Sequence, residues 1–202
     1  MASFLNTTYA VEVITTLPPS ITKPQVLSLL HDRISMLDLN PLLKSHTLLP
    51  PPASTNFYAT VPAEHKDFTT AEIEALPIYK VVEGTGPEEQ EGGSWRGGWA
   101  KRIIPGEIIY DTSMQLRDDG MITLTHAPMG VGTVTTWTVK EEGGKLILGL
   151  KGVVSANRML MGFIRTTLQG SYDKLAADFV AELEKRAREE GVAKDGAAVG
   201  GV

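Results

Sequence analysis

The sequence predicts an α+β fold in which a curved antiparallel sheet of about seven strands grips a long C-terminal helix around an apolar cavity. Three observations predict it: alternating segments of strand length between 44 and 154, tight joints at 118–120 (DDG) and 141–144 (EEGG), and an amphipathic segment at 157–188. Strands joined this tightly pair antiparallel, because a parallel return needs a dozen residues. An antiparallel sheet whose helices lie on one side is the α+β arrangement.

Length and composition fit one globular domain, which we assign to residues 1–190, followed by a disordered tail at 191–202. The net charge of −5, without a cluster of Lys and Arg, argues against nucleic acid as a partner. The absence of cysteine excludes disulfides and a cysteine nucleophile. The N-terminus does not read as a signal peptide, and no segment is apolar enough for a transmembrane span, so we expect a cytoplasmic protein.

The first elements are a strand and two short helices. Residues 4–16 alternate as a strand does, and the segment LPP at 17–19 ends it. Thr22 and Gln25, with Pro24 between them, form a capping-box signature for a helix start. Apolar residues then recur at helical spacing to Leu37, and the pair Asn40-Pro41 interrupts them. A second short helix or turn is expected at 38–43.

Strands and one long helix make up the rest of the chain. Strands are expected at 44–49, 56–61, 77–83, 106–117, 120–127, 132–141 and 144–154. The stretch that opens with three prolines at 50–52 and the Gly- and Glu-rich stretch at 83–98 are expected to be loops. A single long helix is expected from about 157 to 188, closed by Gly191.

Alternation indicates which side chains face the cavity on some strands and leaves others open. On 106–117 the even positions, such as Tyr110, Thr112 and Met114, are the more apolar set and are expected to point inward. On 120–127 periodicity does not choose a face. On 132–141 we favour the set that contains Trp137, because a large aromatic side chain gains most from burial.

The layout resembles the START-like superfamily, also called the helix-grip, Bet v 1-like or SRPBCC fold, which includes polyketide cyclase-type proteins. Within it the sequence is similar to a fungal group of START-like proteins. Four segments carry the resemblance: DLNP at 38–41, the hairpin at 119–120, APMGV at 127–131 and MLMGF at 159–163. The resemblance covers residues 4–188. It implies a cavity for lipids, sterols, polyketides or hormone-like ligands, and catalysis only in some members.

Given such a cavity, a set of residues is expected to bind the ligand: Tyr110, Thr112, Met114, Trp137, Arg158, Met161, Arg165 and Tyr172. Met121, Met129 and Met159 are further possible lining residues, since methionine suits irregular apolar ligands. The arginines can instead pair with carboxylates at the rim, and the tyrosines and methionines can instead fill an ordinary core. Catalytic candidates are His126, Tyr110 and Arg165. The four histidines have no metal-ligand spacing, so a metal site is not expected. No other cofactor is expected either.

Two functions compete for this cavity. The first is a carrier or sequestering protein that binds a hydrophobic small molecule or lipid. The alternative is a polyketide cyclase/dehydratase-type enzyme that acts on a ligand held in the same cavity. A weaker third reading is an interaction protein with a collapsed cavity. The sequence leaves the ligand, the presence of catalysis and the oligomeric state open.

Overall fold

The computed structural model describes residues 6–65, 69–84 and 107–199. In these ranges one seven-stranded antiparallel sheet has the order β1-β7-β6-β5-β4-β3-β2. The chain therefore runs as a meander from β2 to β7, and β1 pairs with β7 at one edge. The strands are β1 (Asn6–Thr16), β2 (Leu43–Leu48), β3 (Ile78–Glu83), β4 (Ile108–Arg117), β5 (Gly120–Ala127), β6 (Val131–Glu142) and β7 (Lys145–Asn157).

Helices follow β1, lie in the connection between β2 and β3, and follow β7. Two short helices follow β1, which is the predicted arrangement, and the longest helix ends the fold. The predicted fold class is thereby confirmed. The helices are α1 (Lys23–His31), α2 (Arg33–Asp38), α3 (Ala53–Tyr58), α4 (Thr70–Ala75), α5 (Arg158–Ile164) and α6 (Leu168–Val199).

Five local expectations were wrong. The first helix, expected to continue to Leu37, is two helices with Asp32 between them, where the Asp32 side chain accepts a hydrogen bond from the backbone N–H of Ser35. The stretch that opens at 50 was expected to be a loop, but it contains α3 and α4. Residues 56–61 form no strand: α3 occupies their first part, because Phe57 and Tyr58 are buried against the sheet. The single helix predicted from 157 is two helices, and at the break Thr166 and Thr167 donate hydrogen bonds to backbone carbonyls three residues earlier. Helix α6 also continues past Gly191, where the sequence analysis ends it. The Gly- and Glu-rich stretch at 85–98 lies outside the described residues.

Register determines the two faces of every strand. Thr112 on β4 is opposite Thr125 on β5, which in turn is opposite Thr133 on β6. Because side chains alternate across a sheet, these residues and the residues two positions away on each strand share one face of the sheet. Helix α6 packs on this face. The even set of β4 and the Trp137 set of β6 therefore point toward α6, and on β5 the inward residues are Met121, Thr123, Thr125 and Ala127.

Helix α6 lies across this concave face at a position set by Gly152. A Cβ atom placed on Gly152 would come within 2.2–2.4 Å of the Cζ, Cε1 and Oη atoms of Tyr172, so the ring lies directly on the strand backbone. About two helix turns further along α6, Phe179 packs against Trp137 with ring centroids 4.9 Å apart. Both aromatic residues of α6 are buried. Helix α6 is thus held by Tyr172, which packs on the backbone of Gly152, and by Phe179, which packs on the Trp137 ring.

The two short helices close one end of the sheet. Val26, Leu29 and Leu30 of α1 are completely buried in the main core. Asp32, between α1 and α2, accepts hydrogen bonds from Ser35 and lies 3.6 Å from the guanidinium of Arg186 on α6. The hydrogen bond from Ser35 is the main reason that the pKa of the Asp32 carboxyl lies below its usual value. These contacts connect the N-terminal helices to the C-terminal half of α6.

The convex face of the sheet carries a second layer made by α3 and α4. Its apolar cluster contains Phe57 and Tyr58 of α3 together with strand residues Ile78, Ile122 and Leu124. Polar contacts also attach the layer to the sheet. They are Tyr58 Oη to Ser113 Oγ (3.0 Å), Gln115 Nε2 to Tyr58 Oη (3.2 Å) and Gln115 Nε2 to the His65 carbonyl (3.0 Å).

His126 belongs to this convex layer. Its ring stacks on Phe57 with centroids 4.2 Å apart and an interplanar angle of 16°. Burial lowers the pKa of the His126 imidazole, and the carboxylate of Asp111 opposes that effect. His126 is therefore a stacking residue of the outer layer, on the face of the sheet that points away from α6.

We predict that Gly152→Ala destabilises the protein by about 1–3 kcal/mol, because the added methyl group must displace the Tyr172 ring. Urea unfolding followed by circular dichroism measures the effect. Gly162→Ala is the matched control: its Cβ meets no atom within 4 Å, and alanine in a helix is favoured by about 0.5–1 kcal/mol. Equal stabilities of Gly152→Ala and wild type would contradict the seating of Tyr172 on this glycine.

A second prediction concerns the stability of the protein at acid pH. Because the folded state lowers the pKa of His126, it favours the neutral ring, and this contribution is present above the ordinary pKa near 6.5 and is lost as the pH falls through the lowered folded-state value. His126→Phe keeps the stacking and removes the titration. We expect the variant to lose less unfolding free energy than wild type between pH 7.5 and about 5, by less than about 1 kcal/mol because the ring is only half-buried. Identical pH profiles would contradict the assignment.

Candidate functional site

A cavity of about 230 Å³ lies between the concave face of the sheet and the helices α2, α5 and α6. Most of its lining is apolar, and hydroxyl groups supply most of the polar part. The described residues that line it are Met36, Leu37, Asn40, Glu83, Ile108, Tyr110, Thr112, Met114, Met121, Thr123, Thr125, Ala127, Pro128, Val131, Thr133, Thr135, Trp137, Val154, Ile164, Thr167, Leu168, Ser171, Tyr172 and Leu175.

Threonines form the polar part of the cavity floor. Thr112, Thr125 and Thr133 stand side by side on β4, β5 and β6, and Thr123 and Thr135 form the adjacent row. Neighbouring strands are about 4.8 Å apart, so the hydroxyls of one row recur at that spacing. This arrangement follows from the alternation of Thr along β5 and β6 and from the register between them. The floor is apolar at the methyl groups and offers hydrogen bonds at the hydroxyls.

One hydroxyl pair connects this floor to α6. Tyr172 Oη lies 2.7 Å from Thr135 Oγ1, and the exposed fractions of these residues are 6% and 9%. Burial raises the pKa of the Tyr172 hydroxyl above its ordinary value, and the hydrogen bond with Thr135 only partly offsets this. Tyr172 therefore remains protonated at neutral pH and acts as a neutral hydrogen-bonding group.

A carboxylate lies among the lining residues on β3. Glu83 is 1% exposed, and its Oε1 accepts a hydrogen bond of 2.5 Å from Asn40 Nδ2. Asn40 is itself held by the backbone N–H of Leu42, which donates to Asn40 Oδ1 at 3.0 Å. Glu83 lies on β3, three strands from Thr135 on β6. The Glu83–Asn40 pair and the Tyr172–Thr135 pair are thus at separate places in the cavity.

The structure brings five of the eight expected ligand-binding residues to the cavity: Tyr110, Thr112, Met114, Trp137 and Tyr172. Whether they bind a ligand remains a prediction. The other three lie elsewhere. Arg158 is exposed, Arg165 is exposed with its guanidinium carbon 4.9 Å from the centroid of the Tyr9 ring, and Met161 is buried in a separate cluster beside α5.

The position of Arg158 and Arg165 has a simple cause. In one continuous helix, residues seven positions apart would lie near the same face, but α5 ends at Ile164, so the two arginines do not share a continuous helix. Of the other methionines, Met121 lines the cavity, whereas Met129 and Met159 are exposed.

Of the catalytic candidates, Tyr110 alone is at the cavity wall. His126 is on β5 between Thr125 and Ala127, which face the cavity, so alternation turns its own side chain to the convex face. The expectation that His126 reaches the cavity was wrong, because periodicity alone did not fix the inward face of β5.

Sequence reasoning missed Glu83, Asn40 and Thr135 as site residues. A signal for Glu83 existed: it shares a strand face with Tyr79 and Val81, and a carboxylate on an otherwise apolar face is unusual enough to mark a site. Asn40 was noted only as a helix break. No comparable signal singles out Thr135, because its importance comes from its contact with Tyr172, 37 positions away.

Neither a cluster of metal-ligating side chains nor a membrane-spanning helix is found in the part of the chain that the structure describes. Within residues 6–65, 69–84 and 107–199 no group of three or more His, Asp or Glu side chains comes together as a metal site would require. None of the helices in these ranges is both long and apolar enough to cross a membrane.

Solved structures with this architecture include enzymes of two kinds. The Zhui aromatase/cyclase from Streptomyces sp. R1128 has a TM-score of 0.52 and 11% sequence identity, with 92% of this chain and 98% of that chain covered. A point mutant of Thalictrum flavum norcoclaurine synthase, in complex with a transition state analogue, has a TM-score of 0.52 and 10% identity, with coverages of 90% and 97%.

A third similar structure is the di-domain ARO/CYC StfQ from the steffimycin biosynthetic pathway, with a TM-score of 0.52, 11% identity and coverages of 91% and 52%. Identities this low show the fold alone, which is the START-like helix-grip fold that the sequence predicted. Among curated proteins, none matches this sequence. A family model described as a domain of unknown function, DUF7053, matches residues 6–185, which is most of the chain, and the protein therefore belongs to this family.

Proposed function

We propose that this protein binds a hydrophobic small molecule in the cavity between the sheet and α6, as a carrier or sequestering protein. The observation that carries the proposal is a cavity with apolar walls whose polar groups are mainly neutral hydroxyls. Burial of apolar ligand surface would supply most of the affinity, and the hydroxyls would set the orientation of the ligand. Similarity to ligand-binding enzymes of the same fold supports the use of this cavity.

The cavity volume limits the size of the occupant. An apolar cavity of about 150 Å³ accommodates benzene. At about 230 Å³ this cavity has room for a molecule of about two fused rings without rearrangement of its walls. A long lipid chain would require the walls to move, so a compact ring compound is the better fit.

The ionisable groups favour binding over catalysis. A general base for chemistry near neutral pH is usually a histidine or a carboxylate with a suitable pKa. His126 lies outside the cavity, and Tyr172 is held neutral by burial. Among the described lining residues, Glu83 is the only carboxylate.

Glu83 is the exception, and it favours a second candidate function, a cyclase/dehydratase-type enzyme. A buried carboxylate fixed by Asn40 has the position of a group that removes a proton from a bound ligand. The test is to incubate the protein with a linear tri-β-ketone and to follow ring closure by ultraviolet absorbance. Acceleration over buffer that disappears in Glu83→Gln would support the enzyme. Binding of the ketone without acceleration would leave the carrier function.

We predict that Thr133→Phe weakens binding of the apolar fluorescent probe N-phenyl-1-naphthylamine by about tenfold or more, because the added ring occupies space that the probe needs. The measurement is a fluorescence titration. Thr136→Phe is the matched control, since Thr136 lies on the same strand and faces the opposite side of the sheet.

Both variants are first checked for a native circular dichroism spectrum. Wild-type protein that does not bind the probe would argue against the cavity as a binding site. Equal weakening by Thr133→Phe and Thr136→Phe would place the probe outside the cavity.

A further inference from the structure

The hydroxyls of the cavity differ in the hydrogen bonds that they leave available. Thr112 donates its hydroxyl proton to the backbone carbonyl of Leu124 at 2.9 Å, and its oxygen lies 3.2 Å from the Thr125 hydroxyl. Since the Thr112 proton is already used, Thr125 is the donor in the second contact. Both protons of this pair are therefore bound within the protein, and the pair presents only lone pairs to the cavity.

The pair formed by Tyr172 and Thr135 differs, because one of its two hydroxyl protons is not used within the pair. Two hydroxyls carry two protons, and the single contact between them, at 2.7 Å, uses one. Whichever hydroxyl donates in that contact, the other keeps a proton. Neither residue has a further hydrogen-bond acceptor among the described residues. One O–H group therefore has no acceptor among the residues that the structure describes, at a place that is more than nine-tenths buried and lines the cavity.

A buried donor without an acceptor destabilises a protein, and such groups are usually satisfied by a ligand or by ordered water. The position of this donor is also fixed. The Tyr172 ring lies on the backbone of Gly152, and Thr135 is on the adjacent strand, so neither oxygen can move far. A ligand oxygen that accepts a hydrogen bond would satisfy the pair.

We propose that the cavity selects ligands that carry a carbonyl or similar acceptor oxygen, and that this oxygen accepts a hydrogen bond from the Tyr172–Thr135 hydroxyl pair. This inference rests on the proposed binding function and defines the ligand class: a compact apolar ring system with an acceptor oxygen. In this arrangement either hydroxyl of the pair can serve as the donor to the ligand. If either hydroxyl is removed, the remaining one still has a proton to donate to the ligand.

The test uses two probes of nearly equal shape, 2-acetylnaphthalene and 2-isopropenylnaphthalene, in which a carbonyl oxygen is replaced by a methylene group. Their affinities are measured by displacement of N-phenyl-1-naphthylamine. Four variants are compared with wild type: Tyr172→Phe, Thr135→Val, the double variant that combines them, and Thr136→Val as a control on the opposite face. The quantity of interest is the ratio of the two affinities, ketone over alkene.

We expect the double variant to lower this ratio by roughly three- to tenfold, the range for one net hydrogen bond. Each single variant should keep most of the wild-type ratio, and Thr136→Val all of it. An unchanged ratio in the double variant would overturn the inference. Failure of wild type to bind N-phenyl-1-naphthylamine would instead remove the proposed function, so the two failures are distinguishable.

A second measurement covers the case in which the double variant does not fold. The carbonyl stretch of 13C-labelled 2-acetylnaphthalene is recorded by infrared difference spectroscopy when the ketone is bound to wild-type protein. A hydrogen-bonded carbonyl absorbs at a lower wavenumber than the same ketone in hexane, and this shift is the expected result. A stretch equal to that in hexane would overturn the inference.

Discussion

The contact between the Tyr172 ring and the backbone of Gly152 determines where α6 lies on the sheet. A side chain at residue 152 would occupy the space of the ring, so glycine is required by the close approach of the helix residue to β7. Once the ring is seated there, its hydroxyl reaches Thr135 on the neighbouring strand. The same placement lets Phe179 meet Trp137 further along the helix. The cavity is the space that remains beside this contact, between α6 and the sheet.

The two faces of the sheet use polar residues for different purposes. On the convex face, Tyr58, Ser113 and Gln115 bond to one another and attach the outer layer, so their hydrogen bonds contribute to the fold. On the concave face, the threonine rows are exposed to a cavity, and the Tyr172–Thr135 pair keeps a proton that no described residue accepts. Polar groups that are satisfied by the protein stabilise it, whereas one that is left unsatisfied beside a cavity is available to a ligand or to water.

Recognition in this cavity would then divide into two parts. Apolar walls supply affinity without direction, because the hydrophobic effect depends on the area removed from water. Direction comes from the hydroxyl pair on β6 and α6 and from Glu83, which lies three strands away. A ligand that reaches both groups would be fixed in orientation, and one that reaches only the hydroxyl pair would remain free to turn about it.

The sequence by itself determined the α+β class, the antiparallel meander and the helix that covers it, because turn residues and periodicity act over short distances along the chain. It also determined which residues of β4 face inward, since Tyr110, Thr112 and Met114 contrast with polar neighbours. Only the tertiary structure decided the inward face of β5, and with it the exclusion of His126 from the cavity. Thr and Met alternate there with Ile and Leu, so both faces are suitable for burial, and one face packs on α3 while the other lines the cavity. Contacts between distant residues, such as Thr135 with Tyr172 and Asn40 with Glu83, depend on register and helix placement, which no local pattern encodes.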